Sequence, residues 1–361
     1  MIKNLSLGSN CNILGDAHTG SIVGYTAGSI VNCSSAATVK LGNSQNGGGI
    51  VGTNSGTVSY CNFAGTVTRS GDGVNANALG GILGKNEASG TVSQCSSNTT
   101  ISGSLWTGGI AGWNDGSISL CKSTGTISAY SNSNGGLVGQ NNGNIHNSYS
   151  RCNASGAQYI GGLVGNHGSG TISNCYSTGT VSGNPRGGLI GALSGTVNNS
   201  FWDTQTSGIA TSYGGTGKIT AQMTSQATFT GWDFLREIDN GTADFWGIAS
   251  TDNNGYPLLA WEVENEIRAP ILILPVDLAI DIPVADFELS WTANPLGMLP
   301  SYYNVYMMRY TSPGVMEEHL FLQQSGTSFF PVIQGGLVFS YGDTWYWTVE
   351  AYNTEGSALQ E

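Results

Sequence analysis

Gly161-Gly162-Leu163-Val164-Gly165, followed by Gly170-Thr171-Ile172-Ser173-Asn174-Cys175-Tyr176-Ser177-Thr178-Gly179-Thr180-Val181, is one copy of a unit that recurs along the first part of the chain. The pentapeptide Gly-Gly-(Ile/Leu)-x-Gly occurs six times, ending at Gly52, Gly84, Gly112, Gly139, Gly165 and Gly191, with a degenerate seventh copy ending at Gly24. Steps between the closing glycines are 28, 32, 28, 27, 26 and 26 residues. Aligned on these glycines, Ile30, Val58, Val92, Ile118, Ile145, Ile172 and Val197 share a column. So do Cys33, Cys61, Cys95, Cys121, Ser148, Cys175 and Ser200, and then Val39, Val67, Ile101, Ile127, Ala154 and Val181.

A period of this length, with short β-prone pieces and glycine at the corners, reads as one winding of a β-solenoid. A single winding cannot bury its apolar face, but stacked windings make a continuous narrow core. A propeller blade needs four longer strands and about 40 residues. The expected fold class is therefore all-β: a parallel β-helix of about seven coils of 26–32 residues with a C-terminal cap, then an antiparallel β-sandwich. Parallel strands stack about 4.8 Å apart, so seven coils should span about 34 Å.

These residues resemble the GLUG motif. The resemblance runs over residues 20–262 and takes in Trp202-Asp203-Thr204, Gly214–Gly217, Gly231–Phe234 and Tyr256–Trp261, which resemble the segment that closes such arrays. It implies a parallel β-helix on the cell exterior, as in bacterial surface proteins, including adhesin-like proteins and ancillary regions of IgA-cleaving metallopeptidases. It implies no reaction.

Composition bounds the rest. Only 9% of the 361 residues are charged and 55 are glycine, which disfavours long helices. Residues 1–200 carry a net charge of +3 and residues 201–361 a net charge of −15, which marks a change of architecture. Seven scattered bases in the first part do not suit nucleic acid. No apolar run is long enough for a membrane span, and no signal peptide opens the chain.

The expected domains are 1–200, the solenoid; 201–262, an aromatic cap needed because an open end exposes strand edges; 263–269, a linker; and 270–361. Thr220 to Gln226 is expected as the cap's one short helix, with Thr220 as N-cap. In the last segment, Leu289-Ser290-Trp291 and Thr344-x-Tyr346-x-x-Val349-x-Ala351 resemble the second and sixth strands of a fibronectin type III domain. On that resemblance Tyr346 is the corner tyrosine. Five residues after Gly356 are too few for a seventh strand, so the domain is expected to be truncated and the chain to be part of a longer protein.

No catalytic, cofactor or metal set is expected. The cysteines form no C-x-x-C and read as a small inward-facing packing column. Only three acids, Asp72, Glu87 and Asp115, lie between residues 17 and 200, and they are read as unaligned with one another; His18, His146, His167 and His319 are read as isolated. Asn54, Asn86, Asn114 and Asn141 form a column explained by left-handed turns and amide stacking. Ser29, Thr57, Thr91, Ser117, Asn144, Thr171 and Thr196 make an outward polar column, and Thr38, Thr66, Thr100, Thr126, Asn153 and Thr180 a second.

Trp106, Trp113, Tyr130 and Tyr159 are placed in or near loops between repeats, where exposed aromatics can stack on sugar rings or partner surfaces. Three functions stay open. The first is a non-enzymatic extracellular or cell-surface scaffold, a monomeric module whose partner is a host or cell-surface protein or a glycan. The second is a carbohydrate-binding or accessory region of a secreted enzyme, and the third is ice binding by the threonine columns.

Overall fold

The computed structural model describes residues 1–42, 46–69, 78–103, 105–130, 132–235, 243–248, 252–262, 271–274, 289–292, 301–312, 315–329, 345–353 and 356–357. They fall into two compact units: described residues within 1–233 and 250–259, and those within 234–249 and 260–361. The expected linker at 263–269 lies outside the described residues.

The first unit is a parallel β-solenoid. The winding that begins at Trp106 serves as the pattern. Trp106–Gly108 forms a short strand, Gly109 and Ile110 turn a corner, Ala111–Asn114 forms the next, and Ser117–Ser119 and Lys122–Ala129 complete the turn. Strands equivalent to the first two form separate seven-stranded sheets, and the remaining strands form one long sheet. Every pairing between windings is parallel and in register: Thr57, Val58 and Ser59 pair with Thr91, Val92 and Ser93, and Val67 pairs with Ile101. The ladder begins earlier than the pentapeptides do, because Ile2 pairs with Ile30 and Asn12 with Thr38.

The apolar columns predicted from the repeat point inward and are buried except at Val197, in the last winding, which is partly buried; a corner column of Ile50, Ile82, Ile110, Leu137, Leu163 and Leu189 is buried with them. Glycine at the corner is a steric requirement. A Cβ on Gly81 would lie 2.1 Å from the Gly109 carbonyl oxygen of the next winding. On Gly49 it would lie 2.3 Å from the Phe63 ring.

The cysteine column is inward and all seven thiols are free, six of them buried. Cys11 and Cys152 belong to a second column, on the line of Ala37, Gly65, Thr99 and Gly125, one residue before the outer threonines. Burial pushes the Cys152 and Cys175 thiols up to about 12, and a hydrogen bond to Cys95, followed by burial, raises Cys61.

The asparagine column corrects one expectation. Asn54, Asn86, Asn114 and Asn141 are absent from the left-handed region; the left-handed column is Asn32, Tyr60, Gln94, Leu120, Asn147, Asn174 and Asn199, at the corner just before the cysteines. The four asparagines instead form a buried amide ladder. Nδ2 of each donates to Oδ1 of the next, at 2.8, 2.8 and 2.7 Å, and also to a glycine carbonyl of its own winding. A buried amide survives because both its hydrogens and its oxygen are used.

The cap also departs from expectation. Asp203 caps a helix at Thr204–Ser207, accepting from the Gln205 and Thr206 amides, and the second helix is Thr220–Met223 with Ile219 at the N-cap position, so among the described residues there are two short α-helices rather than one. Trp202 continues the inward line of Ser123, Ser150 and Ser177 and fills the core over Gly188, with its Nε1 donating to the Ile209 carbonyl at 2.9 Å. Residues 252–259 fold back over an outer facet. There Tyr149 and Tyr176 stack at 4.9 Å, Tyr256 lies parallel to Tyr176, and the Tyr256 hydroxyl donates to Asp203 at 2.7 Å.

The second unit is antiparallel. Ile271–Leu274, Leu289–Thr292 and Ser328–Phe329 form one sheet; Val315–Gln324, Tyr302–Ser312, Trp345–Asn353 and Gly356–Ser357 form another. Leu289, Trp291 and Phe329 of the first sheet share a core cluster with Tyr303, Val305, Met307 and Val349 of the second. Tyr346 is 54% exposed opposite Met308, and Thr344 lies outside the described residues. Among the described residues no helix is long and apolar enough to cross a membrane.

Two outcomes follow from this packing. Asn86→Ala strands a donor on Asn54 and an acceptor on Asn114 in a dry interior, so guanidinium unfolding should show a loss of about 2–5 kcal/mol. A thiol reagent should label Cys11 in the native protein and the other six cysteines only in denaturant, as counted by mass spectrometry.

Candidate functional site

The four aromatics singled out from the sequence are not brought together as a set. Trp106 opens a strand and Trp113 lies inside one, rather than in loops. Their rings meet nearly perpendicular, 86° apart, with centroids 4.5 Å from each other. Tyr159 also lies in a strand, Gln158–Gly161, with a left-handed backbone and 37% exposure. Tyr130 is 88% exposed at a bend. Among the described residues no ring contact joins Tyr130 or Tyr159 to the tryptophan pair.

The pair sits in a stripe that the sequence reading missed. Register places Tyr25, Thr53, Lys85, Trp113, Gln140, Asn166 and Ala192 in one outward column, each the residue after a pentapeptide's closing glycine. Two residues further on come Ser55, Glu87, Asp115 and Asn142. Glu87 and Asp115 therefore share one offset and occupy adjacent windings, which corrects their reading as unaligned; Asp72 lies outside the described residues. Their side chains serve different partners. Trp113 Nε1 donates to Asp115 Oδ1 at 2.6 Å, Asn142 Nδ2 donates to the same oxygen at 2.9 Å, and Lys85 pairs with Asp115 at 3.5 Å. Glu87 instead accepts from the Tyr25 hydroxyl at 3.5 Å. Gln140 Nε2 donates to Asn142 at 3.0 Å and Asn166 Nδ2 to Gln140 at 2.9 Å, extending the network that starts at Lys85 over four windings.

The histidines are not isolated. His18 lies 2.7 Å from the Thr53 hydroxyl, His146 2.7 Å from the Ser173 hydroxyl, and His319 2.8 Å from Glu317, which also pairs with Arg309 at 2.7 Å. Among the described residues no carboxylate orients His146, so the His146–Ser173 pair lacks the third group of a nucleophile relay. An open groove of about 480 Å³ beside the cap is lined by Asn184, Pro185, Arg186, Ile209 and Tyr213, among others, and Arg186 is its one charged lining group. Neither place offers paired acid and base groups.

His167 ends the amide ladder, in register with Asn141 and 3.1 Å from its Nδ2. That amide donates, so Nδ1 accepts, and Nε2 carries the hydrogen toward the Thr196 carbonyl at 3.1 Å. The tautomer follows from the direction of the ladder.

The threonine columns are in register on the long sheet: Thr57 with Ser29 and Thr91, Thr66 with Thr38 and Thr100. The left-handed corner column runs between them, and Asn144 and Asn153 interrupt them.

Residues 156–182 match the model of the GLUG motif, a narrower span than the sequence resemblance suggested. The chain is also similar to a solved structure described as a "putative immunoglobulin A1 protease from Bacteroides ovatus", at 23% identity and a TM-score of 0.44, covering 72% of this chain and 75% of that one. No curated protein matches.

Burial lowers the His167 pKa below the ordinary 6.5, against hydrogen bonds to the Thr196 and Asn141 main chain that raise it. The folded chain then binds this proton less tightly than the unfolded chain. Stability is complete above the unfolded value and is lost as pH falls through the lower folded one. His167→Asn keeps an acceptor for Asn141 but does not titrate. Its drop in melting temperature between about pH 7.5 and about pH 5 should be smaller than that of the natural chain. The remaining drop reflects His146, which burial also lowers.

Proposed function

We propose that this chain is a non-enzymatic display scaffold of an exported bacterial surface protein, its first unit a stiff, nearly neutral stalk. The in-register stack carries the reading. Each winding is hydrogen-bonded to the next by three sheets, and five windings are also joined by the internal amide ladder, so bending the stack requires breaking several ladders at once. Such an object transmits position and orientation, which is what a spacer is for. The GLUG match at 156–182 supports the surface assignment by resemblance. A fibronectin type III-like sandwich is our reading of the second unit, supported by the one cluster, including Trp291 and Val305, that its two antiparallel sheets share; adhesion to a host or cell-surface partner is its proposed role.

A second reading, a carbohydrate-binding region that serves a secreted enzyme, is favoured by the Trp106–Trp113 pair and its polar surround.

Protease treatment of intact cells of the source organism should release peptides of this chain into the supernatant. Recovery of the chain solely from the lysed cytosolic fraction would overturn the surface assignment.

A further inference from the structure

We propose that the outward stripe through Lys85, Trp113, Gln140 and Asn166, with Trp106 beside it, is a binding track for a linear, neutral, β-linked polysaccharide lying parallel to the solenoid axis. The proposal rests on the carbohydrate-binding reading above and specifies its site and ligand class.

Sugars need two kinds of contact. A pyranose ring offers faces of C–H groups, which pack on an indole, and an equatorial belt of hydroxyls, which needs fixed planar donors and acceptors. The stripe supplies both. In a perpendicular ring pair, the ring that gives its edge keeps both faces clear of its partner; Trp106 and Trp113 are both half-buried, and the Lys85 ammonium lies over the Trp113 ring, 6.0 Å from its centroid. The polar groups are held in place before any ligand arrives: Asp115 orients Trp113, Asn142 and Lys85, and Gln140 orients Asn142 and is itself oriented by Asn166. Prior ordering of this kind lowers the entropic cost of binding.

Donor capacity remains. Lys85 has three N–H groups and uses one on Asp115. The amides of Gln140, Asn142 and Asn166 each use one hydrogen within the network and keep a second.

The spacing selects the ligand's shape. Successive windings place equivalent side chains about 4.8 Å apart, close to the advance per residue of an extended β-1,4-linked chain. Each sugar then meets the same offset of a new winding: Lys85, Trp113, Gln140 and Asn166 in turn. A coiled α-linked glucan does not keep that step. Charge selects against polyanions, because Lys85 is already paired with Asp115 and Glu87 stands at the same offset one winding away.

The test uses the full chain and defined probes: cellohexaose, xylohexaose and chitohexaose as β-1,4-linked ligands, with maltohexaose as the α-linked comparison, read by isothermal titration calorimetry. Binding is expected for at least one β-1,4 probe and not for maltohexaose. Trp106→Ala and Trp113→Ala should each weaken it about tenfold. Gln140→Ala, which removes the two network hydrogen bonds of a side chain only 8% exposed, should weaken it severalfold, and Thr100→Ala, exposed on the long sheet rather than on the track's sheet, should not change it. Circular dichroism of each variant guards against unfolding. If a β-1,4 probe binds and neither Gln140→Ala nor the tryptophan variants alter it, the track is wrong while carbohydrate binding stands. If maltohexaose binds as well as the β-1,4 probes, the spacing argument fails. If no probe binds, both the track and the carbohydrate reading fall.

Discussion

The first unit depends on one constraint: the main chain of each winding must donate to and accept from the main chain of the next, at one fixed spacing, all the way around. No winding chooses its own register. Once Thr57 is opposite Thr91, Val58 must meet Val92, and the corner that follows must turn at the same place. Side-chain identity is therefore read column by column rather than residue by residue. A column tolerates a change that preserves volume and hydrogen bonding and rejects one that does not. Cys121 and Ser148 exchange on those terms: both are small, and the Ser148 hydroxyl donates to the carbonyl of His146 much as Cys121 Sγ does to that of Ser119.

The same constraint explains which parts of the fold were legible. Apolar columns announce themselves because burial demands an apolar residue at a fixed offset in every winding, so the Ile30, Cys33 and Val39 columns could be drawn from the repeat alone. The left-handed column could not. Four of its seven members are asparagine, which tolerates that conformation, but Tyr60, Gln94 and Leu120 share only the backbone angle, because there the geometry of the ladder overrides the preference of the residue that occupies the corner. The amide ladder was half legible. The asparagines suggested stacking, but a local turn preference was credited with what a buried hydrogen-bond chain does, and His167 went unseen because it occupies an asparagine place under another name.

The candidate site failed to show itself for a different reason. Trp106 and Trp113 stood out by rarity, yet the residue after each closing glycine was never lined up, although that offset holds Tyr25, Lys85, Gln140 and Asn166. Outward columns lack the chemical uniformity that marks inward ones: nothing in water forces Lys85, Trp113 and Gln140 to resemble one another. Their relation is one of position, and the parallel register reveals it. The cap shows the opposite case, where Trp202 stands at a place held by serine in the three preceding windings and its bulk closes the core that the serines leave continuous.

The amide ladder runs one way. Asn54 begins it by accepting from the Gly56 amide, every member hands a hydrogen forward, and His167 ends it by accepting on one nitrogen and returning its remaining hydrogen to the main chain at Thr196. A chain with such a starter and such a terminator can be lengthened or shortened only by whole members. An extra turn bearing its own asparagine slots in between neighbours without loss, whereas an insertion of a few residues breaks the relay on both sides. The architecture thus favours growth by duplication of complete turns, and it confines smaller edits in length to the loops that leave the relay intact.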